Sequence, residues 1–220
     1  MKSAWSKTEG GFSFAAGSLS GVLERTAEPS ALSIVLDRLR IGSLGKLSWR
    51  LESDGSTGTI HPTPDVAYIQ QPYVVAPFVL ETPSEFRLTG FFRATDDGVD
   101  IDFRLATVWP VTNVSLELQA EWPAGGYQPL PELTRNRPYP CPGVAVGVVD
   151  FGRGSAALLT DVGEHGVFTP TSNGATLQLF NQSLEKGVIL VGRFALRPST
   201  EPANIKKDLD DWLDHPSASL

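Results

Sequence analysis

A glutamate beside a histidine, Glu164-His165, is the pair in this sequence best suited to proton transfer, and His61 could supply a second imidazole. A carboxylate and an imidazole can act as acid and base because imidazole titrates near neutral pH. Neighbouring residues on a strand point to opposite faces, so Glu164 and His165 could converge only in a loop. The alternative, which we favour, is a polar turn between two strands, with His61, ahead of Pro62, on the surface.

A second source of chemistry is the segment 122–143, which contains six prolines and therefore cannot form a central strand. Aromatic rings stack on sugar faces and arginines bind carboxylates or hydroxyls, so the segment could be a binding loop. The residues that would bind are Trp122, Tyr127, Arg135, Arg137 and Tyr139. The alternative is a proline-stiffened strap that covers one sheet edge and keeps it from pairing with other chains. We favour the strap.

Four aspartates, Asp96, Asp97, Asp100 and Asp102, form an acidic cluster that could attract calcium. Their spacing departs from that of an EF-hand loop. A turn accounts for Asp97 and pairing with Arg93 accounts for Asp102, so we predict no metal site. The sequence contains no Gly-x-Ser-x-Gly elbow, His-Glu-x-x-His pair or phosphate-binding glycine loop, and we predict no cofactor.

The elements that must position these residues begin with a central hairpin. The dipeptide Asp97-Gly98 predicts a two-residue turn between two alternating strands. In the register that this turn sets, Phe92 lies opposite Phe103 on one face, and Arg93 lies opposite Asp102 on the other. Such a division predicts a sheet with one buried apolar face.

Arginines collect on the outer side of this hairpin, where the register places Arg87, Arg93 and Arg104. Arg193 and Arg197 alternate in phase on the last long strand. The row could be an exposed ladder of salt bridges, which we favour, or the floor of a groove for an anionic sugar.

Alternating or β-rich runs separated by turn signals recur along most of the chain, as is typical of an antiparallel sandwich. Asn173-Gly174 predicts a second hairpin that pairs Phe168 with Leu179. One helix is predicted over 202–214, with apolar residues at i, i+4, i+7 and i+8 from Ile205. We therefore predict an all-β antiparallel sandwich as a single domain over residues 1–200, with the amphipathic helix and tail of 201–220 packed on it.

The composition of the chain argues against some classes of binding partner and indicates a compartment. With 25 acidic and 18 basic residues the net charge is −7, which argues against a nucleic-acid partner. We expect no membrane partner, since no apolar stretch reaches the length of a membrane span and the first residues lack the apolar region of a signal peptide. The single cysteine, Cys141, excludes an internal disulfide and a cysteine-rich zinc site. A reducing compartment suits such a chain, and we expect a cytoplasmic location.

Residues 154–187, GSAALLTDVGEHGVFTPTSNGATLQLFNQSLEKG, resemble the large β-sandwich that follows the catalytic domain in family 38 α-mannosidases. Leu158, Leu159, Thr160 and Asp161 stand where that family has a Leu-Leu-Asn-Asp-like motif. The run FRLTGFFRATDDGVDIDFRLATVW is similar to paired strands of the same sandwich, which belongs to the galactose-mutarotase-like group. The resemblance implies a mutarotase-like supersandwich over about residues 40–197 and an association with carbohydrate.

The resemblance implies no catalytic residue. In the mannosidases the zinc site and the nucleophilic aspartate belong to other domains, and the Asn-x-His-x-Tyr-Phe signature of sugar epimerases of this fold is absent here. Three hypotheses follow: a carbohydrate-associated binding or accessory sandwich, which we favour; a small sugar mutarotase, epimerase or other carbohydrate-modifying enzyme using a Glu/His pair; and a structural or interaction subunit without a small-molecule site.

Overall fold

A computed structural model describes residues 5–16, 19–24, 32–36, 39–51, 57–62, 67–70, 73–80, 86–107, 110–121, 126–135, 143–150, 154–164, 166–171 and 173–214. Over these residues the chain forms 17 strands and two helices. Neither helix has the length and apolar character that a membrane crossing requires.

The elements of the first part of the chain are β1 (Trp5–Thr8), β2 (Gly11–Ala16), β3 (Leu19–Glu24), β4 (Leu32–Leu36), β5 (Leu39–Leu51), β6 (Thr57–Pro62), β7 (Tyr68–Gln70) and β8 (Tyr73–Leu80). The rest are β9 (Phe86–Thr95), β10 (Gly98–Thr107), β11 (Val111–Glu121), β12 (Tyr127–Pro129), α1 (Glu132–Arg135), β13 (Val144–Asp150), β14 (Ser155–Asp161), β15 (Val167–Thr171), β16 (Gly174–Leu184), β17 (Ile189–Arg197) and α2 (Pro202–Asp214).

All strand pairings are antiparallel and form two runs, as the sequence predicts for a sandwich. The hairpin sheet has the order β12-β13-β14-β17-β10-β9-β8. The second sheet has the order β15-β16-β11-β5-β4-β3-β2-β1. Strand β6 joins the two because it pairs with β5 and with β8, and the short strand β7 pairs with β8. The prediction of an all-β antiparallel sandwich with a C-terminal helix is confirmed.

The core lies between the sheets, on the inner face of the hairpin sheet. Phe92 and Phe103 are each about 1% exposed, and their rings meet edge to face at 6.4 Å. Phe103 also stacks at 6.1 Å on Phe194 of the neighbouring strand β17. Tyr127 of β12 contacts Phe168 of β15 at 5.3 Å and so links the two sheets at one side. Aromatic layers of this kind bury large apolar area in a fixed geometry.

The register of the central hairpin differs from the prediction by two residues. Thr95 pairs with Gly98, so the turn is formed by Asp96-Asp97, and Phe92 lies opposite Ile101 rather than Phe103. Gly98 opens the return strand instead, with φ 147° and no room for a Cβ beside the Leu196 carbonyl of β17. The close approach of β17 therefore requires glycine here. A shift of two leaves every side chain on its predicted face.

The second hairpin shows the same difference. Phe168 pairs with Leu177 rather than Leu179, and Thr171 pairs with Gly174, so Gly174 again begins the return strand. Both glycines were predicted as turn residues, and both belong to β-strands. The faces again remain those predicted, since the shift is even.

The helix α2 spans the predicted residues and packs on the hairpin sheet. Its apolar stripe, Ile205, Leu209 and Trp212, is buried against β13, β14 and β17. The strand residues in this cluster are Val146, Ala157, Leu159 and Ala195. The cluster lies on the outer face of the sheet, which is thus buried on both sides along these three strands.

Candidate ligand-binding face

The arginine-rich outer face of the hairpin sheet is the candidate functional site. Strand alternation places Arg93, Asp100, Asp102 and Arg104 on this face of β9 and β10. The pairing of β10 with β17 sets Asp102 beside Arg193. The predicted grouping of arginines on one face is therefore present.

A network of ion pairs holds the middle of this face. Arg193 donates to Asp102 Oδ1 at 3.3 Å, and Arg197 Nη2 reaches Asp100 Oδ1 at 2.6 Å. Arg93 binds the other oxygen of Asp100, with its Nη2 2.7 Å from Oδ2. The predicted pair Arg93–Asp102 is wrong, because the two-residue shift in register brings Arg93 opposite Asp100.

The prediction of an exposed ladder is wrong for Arg193 and Arg197, because α2 and neighbouring strands bury them. Arg193 donates from Nη2 to the backbone carbonyl of Trp212 at 2.9 Å and lies 4.4 Å from the centre of its ring. Arg197 is 6% exposed and donates to the carbonyls of Val99 and Leu196. These two arginines hold the fold together beneath the helix.

Burial affects the ionisation of Asp102. Desolvation raises the pKa of this carboxyl from 3.8 to about 6, against the opposing attraction of Arg193. The neighbouring charge of Asp100 raises the pKa further, while the Arg193 hydrogen bond and the charge of Arg104 lower it. Asp102 therefore titrates closer to neutrality than an exposed aspartate does.

The outer face has a second part with more exposed residues, which we call the open strip. The open strip is centred on Arg104 and Ala106 of β10. Arg104 lies between Thr89 of β9 and Val191 of β17, and Ala106, two residues further along β10, lies between Arg87 and Ile189. Arg87 is exposed, and Ile189 and Val191 are 62% and 37% exposed.

Arg104 is the best-positioned arginine of the open strip. Its guanidinium lies 4.8 Å above the centre of the Phe91 ring, and Tyr73 meets Phe91 edge-on at 6.4 Å. Phe91 is buried, whereas Arg104 is part-exposed. Stacking on an aromatic ring holds a guanidinium in place, which reduces the entropy lost when it binds a carboxylate or sulfate.

A polar cleft of about 230 Å³ lies at the other end of the outer face, where β10 begins and α2 starts. Its lining residues are Asp96, Asp97, Pro198, Ser199, Asn204, Lys207 and Asp208. Desolvation raises the pKa of Asp208, and the charge of Asp97 raises it further, while Arg197 lowers it. Among the residues that the structure describes, no group of histidine, cysteine and acidic side chains is suited to hold a metal.

The proline-rich segment is partly built into the sheet. Tyr127 lies in β12 with its ring over Gly147, where a Cβ would overlap it. Burial raises the pKa of Tyr127 to about 12. Strand β12 pairs with β13 and so covers the edge of the hairpin sheet that β13 would otherwise form. This part of the segment is therefore consistent with a strap that covers a sheet edge. Arg135 is exposed at the end of α1, and Trp122, Arg137 and Tyr139 lie outside the described residues.

Of the proposed proton-transfer residues, the structure describes the side chain of Glu164 only. Glu164 is exposed in the turn between β14 and β15, and Asp161 caps that turn by accepting the Gly163 amide at 3.1 Å. The backbone of His61 lies in β6, opposite Val79 of β8. His165 lies outside the described residues, as does the His61 side chain.

Several residues of the outer face were not predicted as site residues, among them Tyr73, Phe91, Trp212 and Asp208. Strand alternation could have placed Phe91 beside Arg93, since both are odd-numbered positions of β9. The contact of Trp212 with Arg193 depends on where the helix docks, which sequence spacing does not specify.

Comparisons with known proteins agree with the fold. No protein-family model matches the chain, and no curated protein sequence does. A solved heparinase III gene product matches 93% of this chain and 37% of its own, with a TM-score of 0.54 at 10% identity. A polysaccharide lyase matches 89% of this chain and 35% of its own, with a TM-score of 0.52 at 11% identity.

A protein described as an aldose 1-epimerase from Escherichia coli K12 is also similar, over 84% of this chain and 97% of its own, with a TM-score of 0.47 at 9% identity. This chain spans just over a third of the heparinase and lyase chains. At such identities the likeness to those two shows the fold alone, a sandwich that occurs in carbohydrate-related proteins. The likeness to family 38 α-mannosidases stays a prediction.

Proposed function

We propose that this chain is a carbohydrate-associated binding or accessory β-sandwich that binds an acidic glycan along the open strip. The proposal keeps the mutarotase-like resemblance at the level of the fold and assigns no catalytic residue. Its ligand would carry carboxylate or sulfate groups, because the charged side chains of the strip are arginines and an arginine binds such groups through paired hydrogen bonds.

The observation that carries the proposal is the stacking of Arg104 on Phe91. The ring fixes the guanidinium 4.8 Å above its centre while the residue stays part-exposed. Arg87 is exposed on the same face, one step along the neighbouring strand. The two arginines lie at one end of the outer face and are separate from Arg193 and Arg197 beneath the helix.

The apolar side of the strip suits the same ligand. Ile189 and Val191 present side chains to solvent directly beside Ala106 and Arg104. The C–H faces of a sugar ring can lie against such aliphatic groups while its acidic substituents reach the arginines. A heparinase III structure and a polysaccharide lyase structure share the fold, which supports an association with polysaccharides at the level of the fold alone.

The experiment is a binding titration by calorimetry with oligogalacturonate, compared with a neutral galacto-oligosaccharide of the same length. We expect the acidic ligand to bind and the neutral one to bind more weakly, with affinity falling as salt is raised. Arg104→Met should weaken binding about tenfold or more, since a charge-assisted hydrogen bond contributes about 1.5–3 kcal/mol.

The matched control is Lys7→Met, which removes an exposed cation of β1 outside the strip. It should leave affinity unchanged. Equal losses in the two variants would indicate attraction by general charge and contradict a site at the strip. Absence of binding by the unsubstituted chain to oligogalacturonate and to heparin-derived oligosaccharides would contradict the proposal as a whole.

A second candidate, an interaction subunit, is favoured by the 62% exposure of Ile189. The same strip would then bind a protein through its aliphatic side. Ile189→Ser separates the two: it should have a small effect on binding of the acidic glycan but remove a protein contact, whereas Arg104→Met should do the reverse.

A further inference from the structure

The helix α2 is connected to the charged centre of the outer face through Arg193. This guanidinium donates to the Trp212 carbonyl at 2.9 Å and to Asp102 at 3.3 Å, and it stacks on the Trp212 ring at 4.4 Å. Asp102 is 4% exposed. If α2 lifted from the sheet, Arg193 would lose its partners on the helix, and water could reach the ion pair beneath.

The first turns of α2 carry a second acidic group to the same face. Asp208 faces the Arg197 guanidinium and the carboxylate of Asp97, which belongs to the hairpin turn. Arg197 is already paired with Asp100 at 2.6 Å. In the docked helix, Asp208 therefore lies near the carboxylate of Asp97. The arginine that attracts Asp208 is Arg197, whose charge is already largely neutralised by Asp100.

We propose that docking of α2 on the outer face takes up protons, so that acid favours the closed helix and rising pH favours its opening. The helix would then control access to Arg193, Asp102 and the polar cleft. This is independent of glycan binding at the open strip, which lies beyond the helix.

The direction in which pH changes the opening of α2 follows from proton linkage. In the closed form the pKa of Asp102 is about 6, against an ordinary value of 3.8 that a solvated carboxyl would regain on opening. The closed form therefore binds more protons between about pH 4 and pH 6. Opening must grow as pH rises through that window and level off above it. Asp208 acts in the same direction because its pKa is also raised.

Both carboxyls, Asp102 and Asp208, have charged neighbours of each sign. Asp102 is next to Asp100 and Arg104 on its own strand and Arg193 on β17, and Asp161 of β14 lies in register with Arg193. Around Asp208 are Asp97, Arg197, Asp211 and Lys207. In the closed form the arginines favour the charged carboxylates and lower their pKa. At Asp102 the desolvation caused by burial is the larger effect, so the pKa of Asp102 is raised.

Hydrogen exchange of the full chain between pH 5 and pH 8 tests the proposal. After correction for intrinsic exchange rates, amides of α2 are compared with those of β10, which report global unfolding. If opening returns Asp102 to its ordinary pKa, the opening equilibrium of α2 should rise about tenfold from pH 5 to pH 8. The α2 amides should exchange faster than the β10 amides at every pH, because the helix opens without global unfolding.

Asp102→Asn should remove most of this pH dependence, because an amide does not titrate and can still accept from Arg193. Asp208→Asn should remove a smaller part, and Asp214→Asn, at the exposed end of the helix, should leave it unchanged. If α2 protection is constant or increases with pH, or if Asp102→Asn retains the full response, the proposal is overturned.

If Asp102→Asn does not fold, carboxyl-carbon NMR of the unsubstituted chain decides. The Asp102 carboxyl must titrate near pH 6 in the closed protein. Titration near the ordinary value of an aspartate would overturn the proposal.

Discussion

The two faces of the central hairpin are both buried over much of their length, but by different means. On the inner face, Phe92, Ile101 and Phe103 are excluded from water by aromatic and aliphatic packing. On the outer face, Asp100 and Asp102 are almost as inaccessible, but they are paired with the buried arginines Arg193 and Arg197 of β17. The hairpin thus separates an apolar core from a buried ionic layer within one strand pair.

This difference indicates where function can be placed. A packed apolar layer tolerates little change of volume and specifies the fold. A buried ion pair adds little net stability over an apolar pair of the same shape, but loss of one partner is costly. At the open strip, Arg104 and Arg87 have access to solvent, whereas the ion pairs of Asp100 and Asp102 with the arginines of β17 are buried, so the fold and the proposed binding site use different parts of the hairpin.

The largest effect should come from Phe103→Ala on the inner face. The substitution removes a ring that contacts both Phe92 and Phe194 and leaves a cavity between the sheets. We expect a loss of about 4 kcal/mol in the free energy of unfolding, measured by denaturant titration. A loss below about 1 kcal/mol would show that this layer is not the packed core described above.

Arg193→Leu should be somewhat less costly, at about 3 kcal/mol, since it leaves Asp102 buried without its principal partner and the Trp212 carbonyl without this donor. The pKa of Asp102 should rise further, because Arg193 is the largest influence that lowers it. The same denaturant titration at pH 7 measures the loss.

The double variant Asp102→Leu with Arg193→Leu sharpens the contrast between the faces. Replacing both partners by apolar groups should recover most of the stability lost in Arg193→Leu, as it does for buried ion pairs in general. A double variant as unstable as the single one would show that the ionic layer is a net source of stability.

The sequence was sufficient to predict which face each hairpin residue occupies but not which residues are opposite each other. In both hairpins the glycine of an Asp-Gly or Asn-Gly dipeptide begins the return strand, which shifts the pairing by two residues. Turn preferences alone do not distinguish these arrangements. The close approach of Leu196 to Gly98 does, and that contact is set by a strand about a hundred positions later.

The helix was predicted with its correct limits because Pro202 and the spacing of Ile205, Leu209 and Trp212 are local signals. Where it docks is a tertiary property, and for this reason the burial of Arg193 and Arg197 was not foreseen. The candidate site was therefore predicted as a row of arginines, and the structure divides that row into a covered part and the open strip.

The smallest effect on stability should come from Arg104→Met at the open strip. Loss of one cation–π contact at a part-exposed position should cost about 0.5–1 kcal/mol. The thermal midpoint should therefore move by only a few degrees. A loss comparable to that of Arg193→Leu would place Arg104 in the structural layer rather than in a binding surface.

The most direct test of glycan binding at the open strip is NMR of the arginine Nε–Hε groups during titration with oligogalacturonate. The proposal predicts that the signals of Arg104 and Arg87 shift with a common affinity, while those of Arg193 and Arg197 stay in place. Unchanged Arg104 and Arg87 signals at ligand saturation, or shifts confined to Arg193 and Arg197, would contradict it.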